Sequence, residues 1–97
     1  MKRIHVIISG RVQGVAFRAA TRETAIALNL TGWVKNLQDG RVEAVFEGDE
    51  AQVEIMRRWC KHGPPPARVT GVDLHDEDYT AEFVEFKILY GTNKPIP

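Results

Sequence analysis

Ninety-seven residues are the scale of one domain, with little room for a second. Thirteen Lys plus Arg balance thirteen Asp plus Glu, so no global field draws in nucleic acid or an anionic membrane. Any anion site must be local. The single cysteine, Cys60, excludes an intrachain disulfide and fits a reducing compartment. The apolar stretch between Met1-Lys2-Arg3 and Gly10 is too short for a signal core or a membrane span, so the chain is read as cytoplasmic.

From His5 to Ser9 the chain lies in a run where Ile4, Val6 and Ile8 alternate with His5, Ile7 and Ser9. That pattern predicts a strand, central because both faces are largely apolar. The strand feeds a loop carrying Gly10 and Gly14 and ending in Arg18, where a helical pattern begins. Unpaired amides at a helix start, together with the helix dipole, favour an anion and above all phosphate. Arg18 adds a planar fork of donors that grips phosphate oxygens two at a time. Strand, glycine loop and helix alone are a weak signal, equally met by a tight turn with a solvated arginine.

Phe17, Ala20, Thr24, Ala27 and Leu28 then fall on one helical stripe, with Arg22 and Glu23 away from it. Asn29 ends that helix in the left-handed conformation. Thr31 to Leu37 reads as a second strand, Asp39-Gly40 as a hairpin turn, and Val42, Ala44 and Phe46 as the alternating face of a third. Asp49 with Gln52 resembles a capping box for a second helix, about Glu50 to Lys61, whose inner stripe is Val53, Met56 and Cys60. Gly63 and three prolines stop it. Val69 to Leu74 predicts a fourth strand, Asp76-Glu77-Asp78 a solvated loop, and Phe83 to Leu89 a last strand. The tail from Gly91 to Pro97 is expected to be loosely held.

This order, β-α-β-β-α-β with one further strand, predicts an α+β fold on the ferredoxin-like split βαβ plan. Two helices pack on one face of a four- to five-stranded, mainly antiparallel sheet. Strands one and two then run parallel with strand three between them. The loop after strand one and the end of strand two share one end of the sheet. Val34 and Asn36 share parity, so an inward Val34 brings Asn36 to the helix side, towards Arg18.

Two stretches now match one pattern. Ile8-Ser9-Gly10-Arg11-Val12-Gln13-Gly14-Val15-Ala16-Phe17-Arg18 resembles the first signature of the acylphosphatase family. Gly32-Trp33-Val34-Lys35-Asn36-Leu37-Gln38-Asp39-Gly40-Arg41-Val42, with Gly48 after five residues, is similar to the second. Gly63-Pro64, Ala67, Val69 and the closing Phe86-Lys87-Ile88 look like the family's later part, so the resemblance spans nearly all of residues 1–97 as a single domain. It departs at the variable Ala16 and in the longer tail.

The resemblance implies hydrolysis of an acyl phosphate to a carboxylate and inorganic phosphate, without metal or cofactor. It implies that Arg18 binds the phosphate and Asn36 orients the attacking water. Backbone amides of Gln13, Gly14, Val15, Ala16 and Phe17 share the phosphate oxygens. The chemistry suits so small an inventory. A carboxylate departs without a proton, and a loose transition state asks mainly for alignment and charge stabilisation. An alkoxide would demand a general acid, so poor phosphomonoesterase activity is expected.

Two other classes share parts of this pattern. A phosphate-binding module without turnover shares the signature; a chain holding both Arg18 and Asn36 favours the enzyme. RNA binding also occurs on this plan. The outer face of strand three, however, offers Arg41, Glu43, Val45 and Glu47, whose glutamates repel phosphate, so no nucleic acid is expected. Neither a membrane nor a partner subunit is expected, and the chain is read as a monomer. Trp33 and Trp59 read as packing, Lys35 as an outward strand lysine, Cys60 as an inert thiol, and His5, His62 and His75 as structural or solvated. Arg11 flanks the loop without a firm role.

Overall fold

The computed structural model describes residues 1–90, and the tail from Gly91 to Pro97 lies outside them. The elements are β1 (Lys2–Arg11), α1 (Phe17–Ala27), β2 (Thr31–Asn36), β3 (Val42–Gly48), α2 (Glu50–Cys60), β4 (Arg68–Glu77) and β5 (Phe86–Leu89). Five strands form one sheet in the order β4-β1-β3-β2-β5. The β1–β3, β1–β4 and β2–β3 pairs are antiparallel, and β2–β5 is parallel. The α+β split βαβ plan is therefore the observed one.

Alternation builds the core. Ile4, Val6 and Ile8 of β1, Val34 of β2, and Val42, Ala44 and Phe46 of β3 are buried on one face. They meet Val53, Met56 and Cys60 of α2 and Phe17 and Ala25 of α1 in a single apolar cluster. Burying the apolar face of both helices on one side of the sheet supplies the main driving force for this arrangement. It leaves the other sheet face free of helices.

Three local readings need correction. On α1 the buried row is Phe17, Thr21 and Ala25, while Ala27 is exposed and Ala20, Thr24 and Leu28 only flank it. Thr21 is buried despite its hydroxyl because Oγ1 donates to the Phe17 carbonyl at 2.8 Å. A satisfied hydroxyl carries little desolvation penalty, and counting threonine as polar shifts the stripe by one residue. At α2, Asp49 occupies the N-cap position but makes no side-chain cap bond; Glu50 supplies negative charge in the first turn instead. Finally, Asp76 and Glu77 belong to β4 rather than to a loop. They sit opposite Ile4 and Arg3, and Lys2 and Arg3 neutralise them at 3.4 and 2.8 Å. Cross-strand opposite charges hold an acidic edge that looks like loop when read alone.

The last strand is also shorter than expected, starting at Phe86 rather than Phe83. On the open face Glu43 is tied to His5 at 2.6 Å and to Lys35 at 3.7 Å. Glu47 is buried there, accepting from the Thr80 amide at 2.9 Å. The outer face of β3 thus carries carboxylates, as its alternation predicts.

One contact bears directly on the site. A Cβ on Gly63 would stand 2.3 Å from Phe17 Cε2, and Gly63 has φ +67°, a region that side chains other than glycine's disfavour. The glycine lets the corner after α2 close on the Phe17 ring, which also packs against Trp59 at 5.5 Å. The first residue of α1 is thereby clamped from the core side, immediately before Arg18.

Candidate active site

β1 delivers the chain to one end of the sheet, where residues 12–16 turn it into α1. Val12 is buried and anchors the start of this loop. Gly14 has φ +75°, and Ala16, the N-cap of α1, has φ 59° and ψ 29°. Left-handed residues separated by ordinary ones turn successive amides towards a common side, the geometry of an anion nest. For Ala16 this conformation is strained, and backbone strain held by its surroundings is concentrated at functional places.

The amides of this segment have no protein acceptors among the described residues. Outside the helix and strand ladders, none of the backbone hydrogen bonds takes its donor from Gln13 to Ala19. No side chain caps α1, and its first turn holds no acidic residue. The first amides of a helix lack intrahelical acceptors, and here they stand beside a pocket, where they are free to meet an anion. Positive helix-end potential and the Arg18 guanidinium add to its affinity for anions.

β2 supplies the other half. Asn36 closes the strand, opposite Val42 of β3, two residues after the buried Val34 and on the same side. Arg18 and Asn36 line one pocket of about 180 Å³, together with Gly14, Ala16 and Phe17. Asn36 Oδ1 is buried and has no hydrogen-bond partner among the described residues. A buried acceptor left without a partner, on a residue that lines a pocket, is suited to a donor carried by a ligand or a water.

Of the loop residues, Gly14, Ala16 and Phe17 border this pocket, whereas Gln13 and Val15 are not among its lining. The Gln13 side chain points elsewhere: Nε2 donates to the Leu37 and Arg41 carbonyls at 2.8 and 3.0 Å. It ties the loop to the β2–β3 turn and so holds the loop against the strand that carries Asn36. Val15 packs against the core. Ile88 and Tyr90 also border the pocket, from β5 and just beyond it. Neither signature contains them. The alternation of Phe86, Ile88 and Tyr90 is the signal that places them on the helix side.

The remaining candidates lie apart. Cys60 is buried, and burial pushes its thiol up to about 12, as expected for an inert side chain. His62 and His75 are exposed. Lys35 lies on the open face, its Nζ 5.3 Å from the centre of the Trp33 ring. Among the described residues no three His, Cys, Asp or Glu side chains come together as a metal-binding group, and no helix is long and apolar enough to cross a membrane.

A family model described as Acylphosphatase matches residues 4–88. A protein named Acylphosphatase from Syntrophobacter fumaroxidans is 58% identical over 90 residues, covering 93% of each chain. One from Methylococcus capsulatus is 55% identical over 89 residues, covering 92% of this chain and 97% of its own. The crystal structure of acylphosphatase from Bacillus subtilis superimposes with a TM-score of 0.89 at 37% identity, covering 93% of this chain and all of that one.

Proposed function

The chain belongs to the acylphosphatase family, and on that premise we propose that Arg18 and the loop amides bind the phosphoryl group while Asn36 orients the attacking water. Membership makes the protein a hydrolase of small acyl phosphates, releasing a carboxylate and inorganic phosphate. The observation that carries the residue roles is the shared pocket. Arg18, the start of α1 and Asn36 border the same small space, and among the described residues neither the loop amides nor the buried Asn36 Oδ1 has a hydrogen-bond partner.

In this reading the phosphoryl oxygens lie among the amides of Gly14 to Arg18 and the guanidinium fork. Gln13 and Val15 act through the loop backbone, with Gln13 also bracing it against the β2–β3 turn. Asn36 Oδ1 accepts a hydrogen bond from a water and aligns the water oxygen with phosphorus, opposite the departing carboxylate. As the new P–O bond forms, the old one to the acyl oxygen breaks and its electron pair leaves with the carboxylate. The water's protons end on phosphate and in solvent. No side chain has to act as acid or base, because a carboxylate is a weakly basic leaving group. The protein's part is alignment and charge stabilisation. No metal ion or cofactor has a step to perform.

The same reading takes residues 1–97 as one domain, working as a cytoplasmic monomer. Its lone buried thiol suits a reducing compartment. The exposed β4 edge, carrying Arg68, Asp73, His75, Asp76 and Glu77, discourages edge-to-edge pairing with a second copy.

Isotope labelling tests where the water attacks. Benzoyl phosphate hydrolysed in ¹⁸O-enriched water is expected to yield labelled phosphate and unlabelled benzoate. Label in benzoate would mean attack at the carbonyl carbon, for which a phosphate cradle offers no stabilisation, and would overturn the mechanism.

A further inference from the structure

Arg18 has a neighbour that neither signature nor the reaction accounts for. β5 runs parallel to β2 with Val34 opposite Ile88 and Lys35 opposite Leu89, so Tyr90 follows one step beyond, level with Asn36. Phe86 is buried and Ile88 packs against the core; Tyr90 has their parity and stands on the helix side. Arg18 Cζ lies 5.1 Å from the centre of the Tyr90 ring, and both residues border the pocket. Yet Tyr90 is 73% exposed, so core burial does not explain why its ring is there.

We propose that Tyr90 is a positioning residue for Arg18: its ring face holds the guanidinium plane and leaves the N–H edge free for the phosphoryl group. The inference rests on the phosphate-binding role of Arg18 given above. Most buried or half-buried arginines are held by a carboxylate, but such a partner would occupy the donors the phosphate needs and cancel the charge. Among the described residues no ion pair involves Arg18. An aromatic face attracts the cation through its quadrupole while taking up none of the five N–H donors. A long, rotamer-rich side chain is thus held in place before substrate arrives, and less freedom is lost on binding. The contact persists from bound substrate to transition state, so its effect falls on affinity more than on the chemical step.

A double-mutant cycle tests this, with benzoyl phosphate as substrate and inorganic phosphate as competing ligand. Tyr90→Ala is expected to lower kcat/KM about fivefold, carried by KM, with a matching rise in the phosphate inhibition constant. Tyr90→Phe should recover most of that loss, and Tyr90→Leu, similar in bulk but without a π face, should not. In an Arg18→Ala background, Tyr90→Ala should cause no further loss. Parental KM and phosphate inhibition in Tyr90→Ala, recovery by leucine, or an undiminished loss in the Arg18→Ala background would each overturn the positioning role. Those outcomes leave the Arg18 reading standing. An Arg18→Ala variant that keeps parental kcat/KM would overturn both.

Discussion

Arg18→Ala is expected to lower kcat/KM by about 10³-fold while the protein stays folded. Loss of one preorganised donor at a developing charge costs about 10²–10³ in rate, and a charged bidentate donor stands at the upper end. Arg18 is half-exposed at the first turn of α1 and outside the buried row of Phe17, Thr21 and Ala25, so its removal leaves the core intact. Phosphate inhibition should weaken with it, because ground-state and transition-state binding use the same fork. Arg18→Lys should not restore activity, since an ammonium offers a point charge without the planar pair of donors. Steady-state kinetics on the two variants decide this. A lysine variant with near-parental kcat/KM would show that charge alone suffices.

Asn36→Ala separates chemistry from binding. An amide cannot serve as a base at neutral pH, so the role left for it is alignment of the nucleophile. Such a contact is felt in the transition state, and its loss should lower kcat by on the order of 10²-fold. Inhibition by phosphate should stay within a few-fold of the parent, because Arg18 and the loop amides remain. A purely structural Asn36 predicts the opposite pattern: a lower melting temperature with kcat of the folded fraction almost unchanged. The buried Oδ1, without a partner among the described residues, argues against that role, since an asparagine that merely ended β2 would spend its oxygen on the backbone. Measuring kcat, phosphate inhibition and melting temperature on one preparation distinguishes the two.

The convergence of these residues was legible because two independent patterns point to it. The strand–loop–helix sequence puts Arg18 at a helix start, and the split βαβ order brings the end of β2 to the same edge. The parity of Val34 and Asn36 then chooses the side. Asp39-Gly40 fixed the hairpin: Leu37 N–H meets the Arg41 carbonyl at 2.8 Å, as a tight turn requires. What failed to show in the sequence failed for physical reasons. Thr21 hides its polarity in a bond to its own helix, so the α1 stripe read one residue off. Asp76 and Glu77 look like loop until Lys2 and Arg3, more than seventy residues away, are seen opposite them. Ala16 gives no hint of its left-handed backbone, because nothing local favours it there. The bracing of the loop by the Gln13 side chain also gives no local signal, because it is a contact set by the distant turn at Leu37 and Arg41. Tyr90 lies one residue beyond the strand that the pattern predicts to end at Leu89, and its partner is a guanidinium rather than the core.

The central claim is that this small cradle turns over an acyl phosphate unaided. The most direct measurement is phosphate release from excess benzoyl phosphate with a chelator such as EDTA present throughout. The account predicts many phosphates released per chain, at a rate the chelator leaves unchanged. Release that stops at one phosphate per chain, or that returns only on adding Mg²⁺ or Zn²⁺, would contradict it.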